Sequence, residues 1–521
     1  MIRRDFIKLS LATAGLPVVG CAQTSNPFVY RCAITSGPAV GSATQYSAII
    51  WCRANRNSVL AVEISETENF NNIVTVIGSE AQADRDFNCK ATLTSLKPGT
   101  EYYYRCHMRD TETGVRISDD VSGRFCTAHA TAAALSFCWS GDTAGQGYGI
   151  DPTHGGMKTY QVMLQHQPDF LVHCGDQIYA DNPILPELKA EDGSVWQNRH
   201  ADYVDHVAQT TQDFRDRFYY NYFDPHFAAF HRHVATYYLW DDHEVRNNWY
   251  PNQIVEDQRY ETKQASTLAQ RARTAMVECN PLPDTARQQL YQHVSRGPLL
   301  DLFLVDMRSY RTANRTPSQT REDVKEHIFG AQQLAWLKAS LLDAKGVWKI
   351  IALDMPIGLV VEDYHDGTIE AVANRDGPVT GREVDVAELL SFIKLHDIEN
   401  VHFITADVHY CASHYYSPTN AQFKQFKPFW EFVSGPLHAG TFGSNRLDNT
   451  FGPELVFKGI PDDLPPNLSP VSGYQFFGVM SIDAQSQKLT VSHINREGDV
   501  LWSKVLKPEK QRAAQQYQQS L

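Results

Sequence analysis

The chain has 521 residues, of which 42% are apolar, 21% charged and 11% aromatic. This composition suits a globular protein with a large core and excludes long disorder. With 47 basic and 60 acidic side chains the net charge is −13, which disfavours a protein whose main task is gripping nucleic acid or an anionic membrane face. No run of about 18 apolar residues offers a transmembrane helix.

The N-terminus reads as an address. Arg3-Arg4, then Phe6, Ile7 and Lys8 and a short apolar stretch from Leu9 to Gly20, resembles a twin-arginine export signal that carries folded proteins across a bacterial inner membrane. The stretch ends Val18-Val19-Gly20-Cys21, similar to a lipoprotein processing site. Residues 1–24 are therefore expected to be a leader, with Cys21 lipidated and the protein periplasmic or anchored in the outer membrane. The 10 cysteines include no C-x-x-C pair, which argues against a zinc ribbon or a complete disulfide framework. Cys32, Cys52, Cys89 and Cys106 lie in strand-like runs and read as buried small hydrophobes.

Residues 27–129 read as an all-β module. Alternating runs occur at Ser47–Cys52, Val59–Ile64, Ile73–Ile77, Phe87–Leu93 and Tyr102–Met108, separated by turn residues. In Leu96-Lys-Pro-Gly-Thr-Glu-Tyr102 a Pro-Gly turn leads into a strand with an aromatic near its start. That is the pattern of a tyrosine corner, and it predicts a fibronectin-III-like β-sandwich.

From Ala134 the pattern changes. Strands are predicted at Leu135–Ser140, Phe170–Cys174, Thr236–Trp240, Leu300–Val305, Trp348–Leu353 and Val401–Thr405. Helices are predicted at Met157–His166, Tyr203–Tyr222, Thr262–Val277, Ala331–Leu342 and Val384–Leu395. The alternation predicts a layered α/β domain over 134–506, closed by strands at Phe476–Ile482, Leu489–Ile494 and Leu501–Val505. A polar tail occupies 507–521.

Four segments share one layout, an apolar strand followed at once by Asp, His or Tyr. They are Phe137-Cys-Trp-Ser-Gly-Asp142, Val172-His-Cys-Gly-Asp176-Gln-Ile-Tyr179, Leu239-Trp-Asp241-Asp242-His243-Glu244 and Ile404-Thr-Ala-Asp407-Val-His409. In layered α/β folds the carboxyl ends of strands converge on the ligand site, and hard oxygen donors with imidazoles suit a metal centre. One Asp after a strand is usually a cap or a turn residue, but four such clusters are too many for caps. His173, Cys174, Trp240 and His402 read as packing. His231 and His233 read as a helix end or loop, and His438 as a residue that lines the pocket.

Gly175-Asp176-x-x-Tyr179, Trp240-Asp-Asp-His-Glu244 with Asn247-Asn248, Ala406-Asp407-Val-His409 and Asp306-x-Arg308-x-Tyr310-Arg311 together resemble the PhoD-like alkaline phosphatases and phosphodiesterases, within the wider calcineurin-like metallophosphoesterases. The resemblance implies a binuclear centre of ferric iron and calcium, with Asp176 bridging the ions. Tyr179 and His409 would bind the iron, and Asp407 with Asp241 or Asp242, preferably Asp242, the second ion. His243 would face the substrate, and Arg308 and Arg311 would clamp phosphate oxygens. Many relatives carry a Cys ligand at the end of the first strand. Here Cys138 falls inside that strand, and Asp142 is the candidate replacement.

Two cations neutralise the repelling oxygens of a phosphoester, hold an attacking hydroxide and orient in-line displacement. The expected function is hydrolysis of small phosphomonoesters or phosphodiesters, with no stable nucleic-acid complex and no protein partner inferred. A phospholipase of C or D type on the same scaffold is the nearest alternative. A non-catalytic surface protein is a second, opposed by the intact Asp, Tyr and His set.

Overall fold

The computed structural model describes residues 31–315, 326–363 and 367–509. The leader and Cys21 lie outside the described residues, as does the tail from residue 510. Among the described residues no helix is long and apolar enough to cross a membrane, and all nine cysteines are free.

The β-sandwich is built from β1 (Ile34–Gly41), β2 (Ala48–Ala54), β3 (Ser58–Ser65), β4 (Val74–Ala81), β5 (Asn88–Leu93), β6 (Glu101–Arg109) and β7 (Val121–Cys126). Tyr102 Oη accepts the Lys97 backbone N–H at 2.9 Å, the bond of a tyrosine corner. One face of the sandwich is the sheet β4-β3-β6-β7. The other, β1-β2-β5, does not stop at the module edge. β1 pairs in parallel with a strand of the second half, Gly41 opposite Thr236.

The second half adds β8 (Leu135–Ser140), β9 (Phe170–His173), a small hairpin of β10 (Glu187–Lys189) and β11 (Val195–Gln197), and β12 (Ala235–Tyr238). Next come β13 (Gln292–Ser295), β14 (Leu300–Leu304), β15 (Trp348–Ala352), β16 (Leu359–Val360), β17 (Val401–Thr405), β18 (Ala412–Tyr416) and β19 (Phe429–Val433). The last strands are β20 (Arg446–Leu447), β21 (Pro453–Lys458), β22 (Phe476–Ile482), β23 (Leu489–Asn495) and β24 (Val500–Leu506). With β1, β2 and β5 they form a nine-stranded sheet, β24-β23-β22-β8-β9-β12-β1-β2-β5, and by themselves a seven-stranded one, β13-β14-β15-β17-β19-β18-β21, with β16 and β20 as a separate pair.

The layering follows from residue parity, because successive side chains of a strand face opposite sides. Phe137, Trp139, Phe170 and Val172 of the first sheet meet Leu302, Leu304, Ile350, Ala352 and Ile404 of the second in one core. The alternate residues face outward. Cys138 and Leu171 pack with Tyr160 and Met163 of α1 (Lys158–Gln165). Phe303, Ile351 and Phe403 lie beneath the Leu334, Leu337 and Leu341 row of a helix at Ala331–Asp343 and beneath Leu389, Leu390 and Ile393 of one at Glu383–Leu395. Both sheets are thus apolar on both faces, which explains their near-continuous hydrophobic runs.

The helix expected over Tyr203–Tyr222 is shorter. A 3-10 turn at Asp202–Val204 precedes α2 (Thr211–Asn221), because Thr210 and Asp213 form a capping box that fixes its first turn. The segment around His231 is a full helix, α3 (Pro225–His233), started by the Asp224 cap and Pro225. The helix expected over Thr262–Val277 runs from Ala265 to Cys279.

Candidate metal centre

The carboxyl ends of β8, β9 and β12, mutually parallel in the first sheet, meet those of β14, β15 and β17 in the second. Each chain end turns sharply there. Asp142, Asp176, Asp407 and His409 all have left-handed backbones, with φ of 66°, 53°, 70° and 60°. Non-glycine residues hold that region at a cost, and such strain clusters at functional sites. Gly175 is required for a different reason. Its φ is 115°, and a Cβ there would lie 2.4 Å from the Asp241 Cβ. At Gly435 a Cβ would lie 2.1 Å from Asp142 Oδ2, so the glycine makes room for that carboxylate.

Three groups of donors have ligand atoms within 4.8 Å of one another: Asp142, Asp176 and His409; Asp176, Asp242 and His243; and Asp241, Asp242 and Asp407. Asp176 belongs to the first two and Asp242 to the last two. Tyr179 joins the first group through its phenol, 2.7 Å from His409 Nε2. The ring nitrogen His409 Nδ1 faces the Gly440 carbonyl, which can only accept, so Nδ1 carries the proton and Nε2 offers its lone pair. Burial keeps this imidazole neutral, lowering its pKa to about 4.

The residues fit a cation. Both carboxylate oxygens of Asp142 and the Oδ2 of Asp241 are buried without a hydrogen-bond partner. Burial, followed by repulsion from Asp241, pushes the Asp142 and Asp176 carboxyls well above the usual range, and the same causes act on Asp407. Burial and then Asp176 and Asp142 raise the Tyr179 phenol. Buried like charges of this kind are stable only when neutralised or when coordinated to metal.

Around these donors lies a second set of polar groups. His243 Nδ1–H donates to Asp181 Oδ1 at 2.6 Å. Burial opposes charge on this ring, but Asp181 and Asp242 outweigh it and raise its pKa to about 10. Glu244 accepts the backbone N–H groups of Asp176, Gln177 and Asp241, tying the ends of β9 and β12 together. Arg308, with no exposed surface, reaches Asp241, Asp354, Glu370 and, at 3.5 Å, Asp407. Arg311 is held by Asn314 and the Glu370 carbonyl, and its Nε and Nη1 make no hydrogen bond.

The structure thus brings Asp142, Asp176, Tyr179, Asp242, Asp407, His409 and His243 into one place, with Arg308 against them and Arg311 behind. Cys138 packs in the core beneath α1. His438 turns away, its Nε2–H on the Gly149 carbonyl at 2.8 Å. His173 contacts Thr143 Oγ1 at 3.1 Å, and His402 stacks on Trp348. The sequence assigns no role to Glu244, although it stands in one of the four clusters, and gives no sign of Asp181 or Glu370. Asp354 had a signal, since it follows the apolar strand β15 as the four chosen clusters follow theirs.

The fold is that of a metallophosphoesterase. It resembles a solved structure of PhoD, with TM-score 0.68 and 20% identity over 93% of this chain and 90% of that one. It also resembles the purple acid phosphatase PPD1 of yellow lupin seeds, with TM-score 0.56 and 12% identity over 92% and 73% of the two chains. The family model for PhoD-like phosphatases matches residues 137–493, and that for their N-terminal domain residues 20–129; the chain belongs to the PhoD-like phosphatases. It is a metal-dependent hydrolase of phosphoric esters. Alkaline phosphatase D of Bacillus subtilis (strain 168) is 25% identical over 484 residues, which span 86% of this chain and 78% of that protein.

Proposed function

We propose that this chain is an exported phosphoesterase that hydrolyses small phosphomonoesters or phosphodiesters at a binuclear centre, the metals being ferric iron and calcium. The observation that carries the reading is the sharing of Asp176 between two donor groups, which would let this one carboxylate help hold both ions. Asp142, Tyr179 and His409 are assigned to the ion on one side, Asp242 and Asp407 to the ion on the other. Asp242 is preferred to Asp241 because Asp241 Oδ1 is already taken by Arg308 and by the Asp242 N–H. When bound, the two cations neutralise the ester oxygens and supply an activated nucleophile.

The chain's own residues do the rest. Asp181 orients His243 through Nδ1, leaving Nε2 to meet the substrate oxygen that gains charge. Arg308 holds Asp241 and Asp407 in place. Arg311, whose Nη1 pairs with the Glu370 carboxylate at 3.7 Å, keeps Nε for a non-bridging phosphate oxygen. Tyr179 and His409 bring a phenol oxygen and an imidazole lone pair within 2.7 Å of each other and would together hold a cation. Export in folded form and a lipid anchor at Cys21 are part of the proposal and rest on Arg3-Arg4 and Val18–Cys21.

Asp176→Asn tests the site. An amide has no charge and one good acceptor in place of two, so the variant should lose at least one metal by elemental analysis and nearly all aryl-phosphate hydrolysis, while circular dichroism stays native. Hydrolysis as fast as wild type would defeat the proposal.

A further inference from the structure

Apart from the metal centre, a cavity of about 490 Å³ lies between the helix Ala265–Cys279, the turn that carries Arg287 and Gln288, and the segment Ser309–Tyr310. Its walls include Arg273, Arg287, Trp240, Trp249 and Tyr310. None of its lining side chains is acidic, and none is a donor of the metal centre. We infer that this cavity is a second, non-catalytic binding site, for an organic anion with a phosphoryl head and an aromatic or apolar body.

The two arginines keep donors to spare. The Arg273 guanidinium sits over the Trp240 indole, 4.4 Å from the ring centroid, and its Nη2 donates to Ser309 Oγ. Asp306 is its neighbour at 3.6 Å, but that carboxylate is already occupied. It accepts the Trp240 indole N–H, the backbone N–H groups of Arg308 and Ser309, and the Ser309 hydroxyl. Arg273 therefore has Nε and Nη1 left without a hydrogen-bond partner among the described residues. Arg287 donates through Nη2 to Glu278 Oε1 at 2.9 Å, while Arg215 already holds Glu278 Oε2 with Nε and Nη2 at 2.9 and 2.6 Å.

Three guanidinium groups thus meet two carboxylates, which leaves a positive surplus in a chain of net charge −13. Asp284, on the same turn as Arg287, faces Lys90. The side chains of Arg273 and Arg287 are 18% and 32% exposed, open enough to be reached and sheltered enough for their charge to act at reduced dielectric. Guanidinium edges take phosphoryl oxygens in pairs of parallel hydrogen bonds, and two of them suit a dianion better than a monoanionic carboxylate. The volume is far beyond what a bare phosphate fills. The rest of the wall is aromatic, and Trp249 keeps a buried Nε1–H with no acceptor among the described residues. Aromatic walls with a few polar groups are the make-up of a site for an organic ligand.

The test is calorimetric titration of the full chain with phenylphosphonate, which carries a phosphoryl dianion on an aryl body and has no ester to hydrolyse. Metal-loaded protein should bind it at two sites, and protein in chelator at one, because the buried carboxylates of the empty metal centre repel a dianion. Arg273→Gln should weaken the site that survives chelation by about tenfold or more, the loss of a charge-assisted hydrogen bond. Gln270→Glu, which adds a carboxylate at an exposed position of the cavity wall, should do the same, and it decides the matter if Arg273→Gln does not fold. Inorganic phosphate, which lacks the body, and benzoate, which carries one charge, should both bind this site more weakly than phenylphosphonate. No binding in chelator, variants that bind as tightly as wild type, or phosphate or benzoate bound as tightly as phenylphosphonate would each overturn the inference. A site that survives chelation in a metal-loaded protein unable to hydrolyse any phosphoester would uphold it and overturn the proposed function instead.

Discussion

Asp142 can be tested by a reversal of sign. In the metal-free protein its carboxylate is fully buried, has no hydrogen-bond partner and lies with Asp176 in a group whose ligand atoms are within 4.8 Å of one another. At that separation and an effective dielectric near 20, one like-charge pair costs about 3 kcal/mol, less once a proton is taken up. Asp142→Asn removes the repulsion, so the metal-free variant should melt above metal-free wild type. For a chain of this size about 2–3 kcal/mol corresponds to about 2–3 °C. With metal the order should invert, because a neutral amide is a poorer ligand and the variant gains less from binding. Cys138→Ser is the control. It places a hydroxyl among apolar side chains beneath α1 and should cost about 1–3 kcal/mol with and without metal alike, leaving metal content unchanged. The assay is thermal melting in chelator and in added metal, with elemental analysis of each protein. If metal-free Asp142→Asn melts lower than wild type, or if Cys138→Ser loses metal and Asp142→Asn keeps it, the assignment of the first-strand ligand is wrong.

Three further outcomes are expected. Wild-type protein should be tinted by phenolate-to-ferric charge transfer, and Tyr179→Phe should bleach it and lower its iron content; a colourless, active, iron-free enzyme would rule out the tyrosinate while leaving two-metal hydrolysis intact. Arg308→Met should destabilise the fold by about 3–5 kcal/mol in a denaturant melt, because it leaves buried carboxylates without their counter-charge, and Arg308→Lys should rescue little of this since an ammonium lacks the planar fork; unchanged melts would show that the cluster is neutralised otherwise. Replacing Arg3 and Arg4 by Lys should retain the protein in the cytoplasm, and Cys21→Ser should free it from membranes, an outcome read by fractionation; membrane association unchanged in Cys21→Ser would remove the lipid anchor.

Much of the architecture is legible because the buried strands write themselves as short apolar runs. Leu135–Ser140, Val401–Thr405 and Phe476–Ile482 begin and end where the sequence places them. The acidic and imidazole groups at the strand ends are legible because four clusters of them follow such runs, more than caps and turns alone would supply. β1 was not legible. Its ITSGPAVG carries a Gly-Pro in mid-strand, and its partners lie at Ile49–Ala54 and at Thr236. The supporting polar groups were hidden for a different reason. Asp181 acts on His243, 62 positions away, Glu244 on Asp176, 68 away, and Glu370 on Arg308, 62 away, and no local pattern encodes such pairings. Asp241 shows the limit most clearly. Adjacent to Asp242 and chemically identical, it is set apart by the Asp242 N–H and above all by Arg308, which arrives from 67 residues downstream.

The parallel contact between Gly41 and Thr236 has a kinetic consequence. An early strand of the sandwich finds this partner only when a segment about 195 residues later has left the ribosome, and β8 finds one of its neighbours only when Val479 and its strand have been made. Such long-range pairings raise contact order, so the closing steps of folding must follow synthesis of nearly the whole chain. A chain of this kind would be poorly served by threading through a channel as it is made. It would suit a route that waits for the finished molecule, which is the route that the arginine pair at its start resembles.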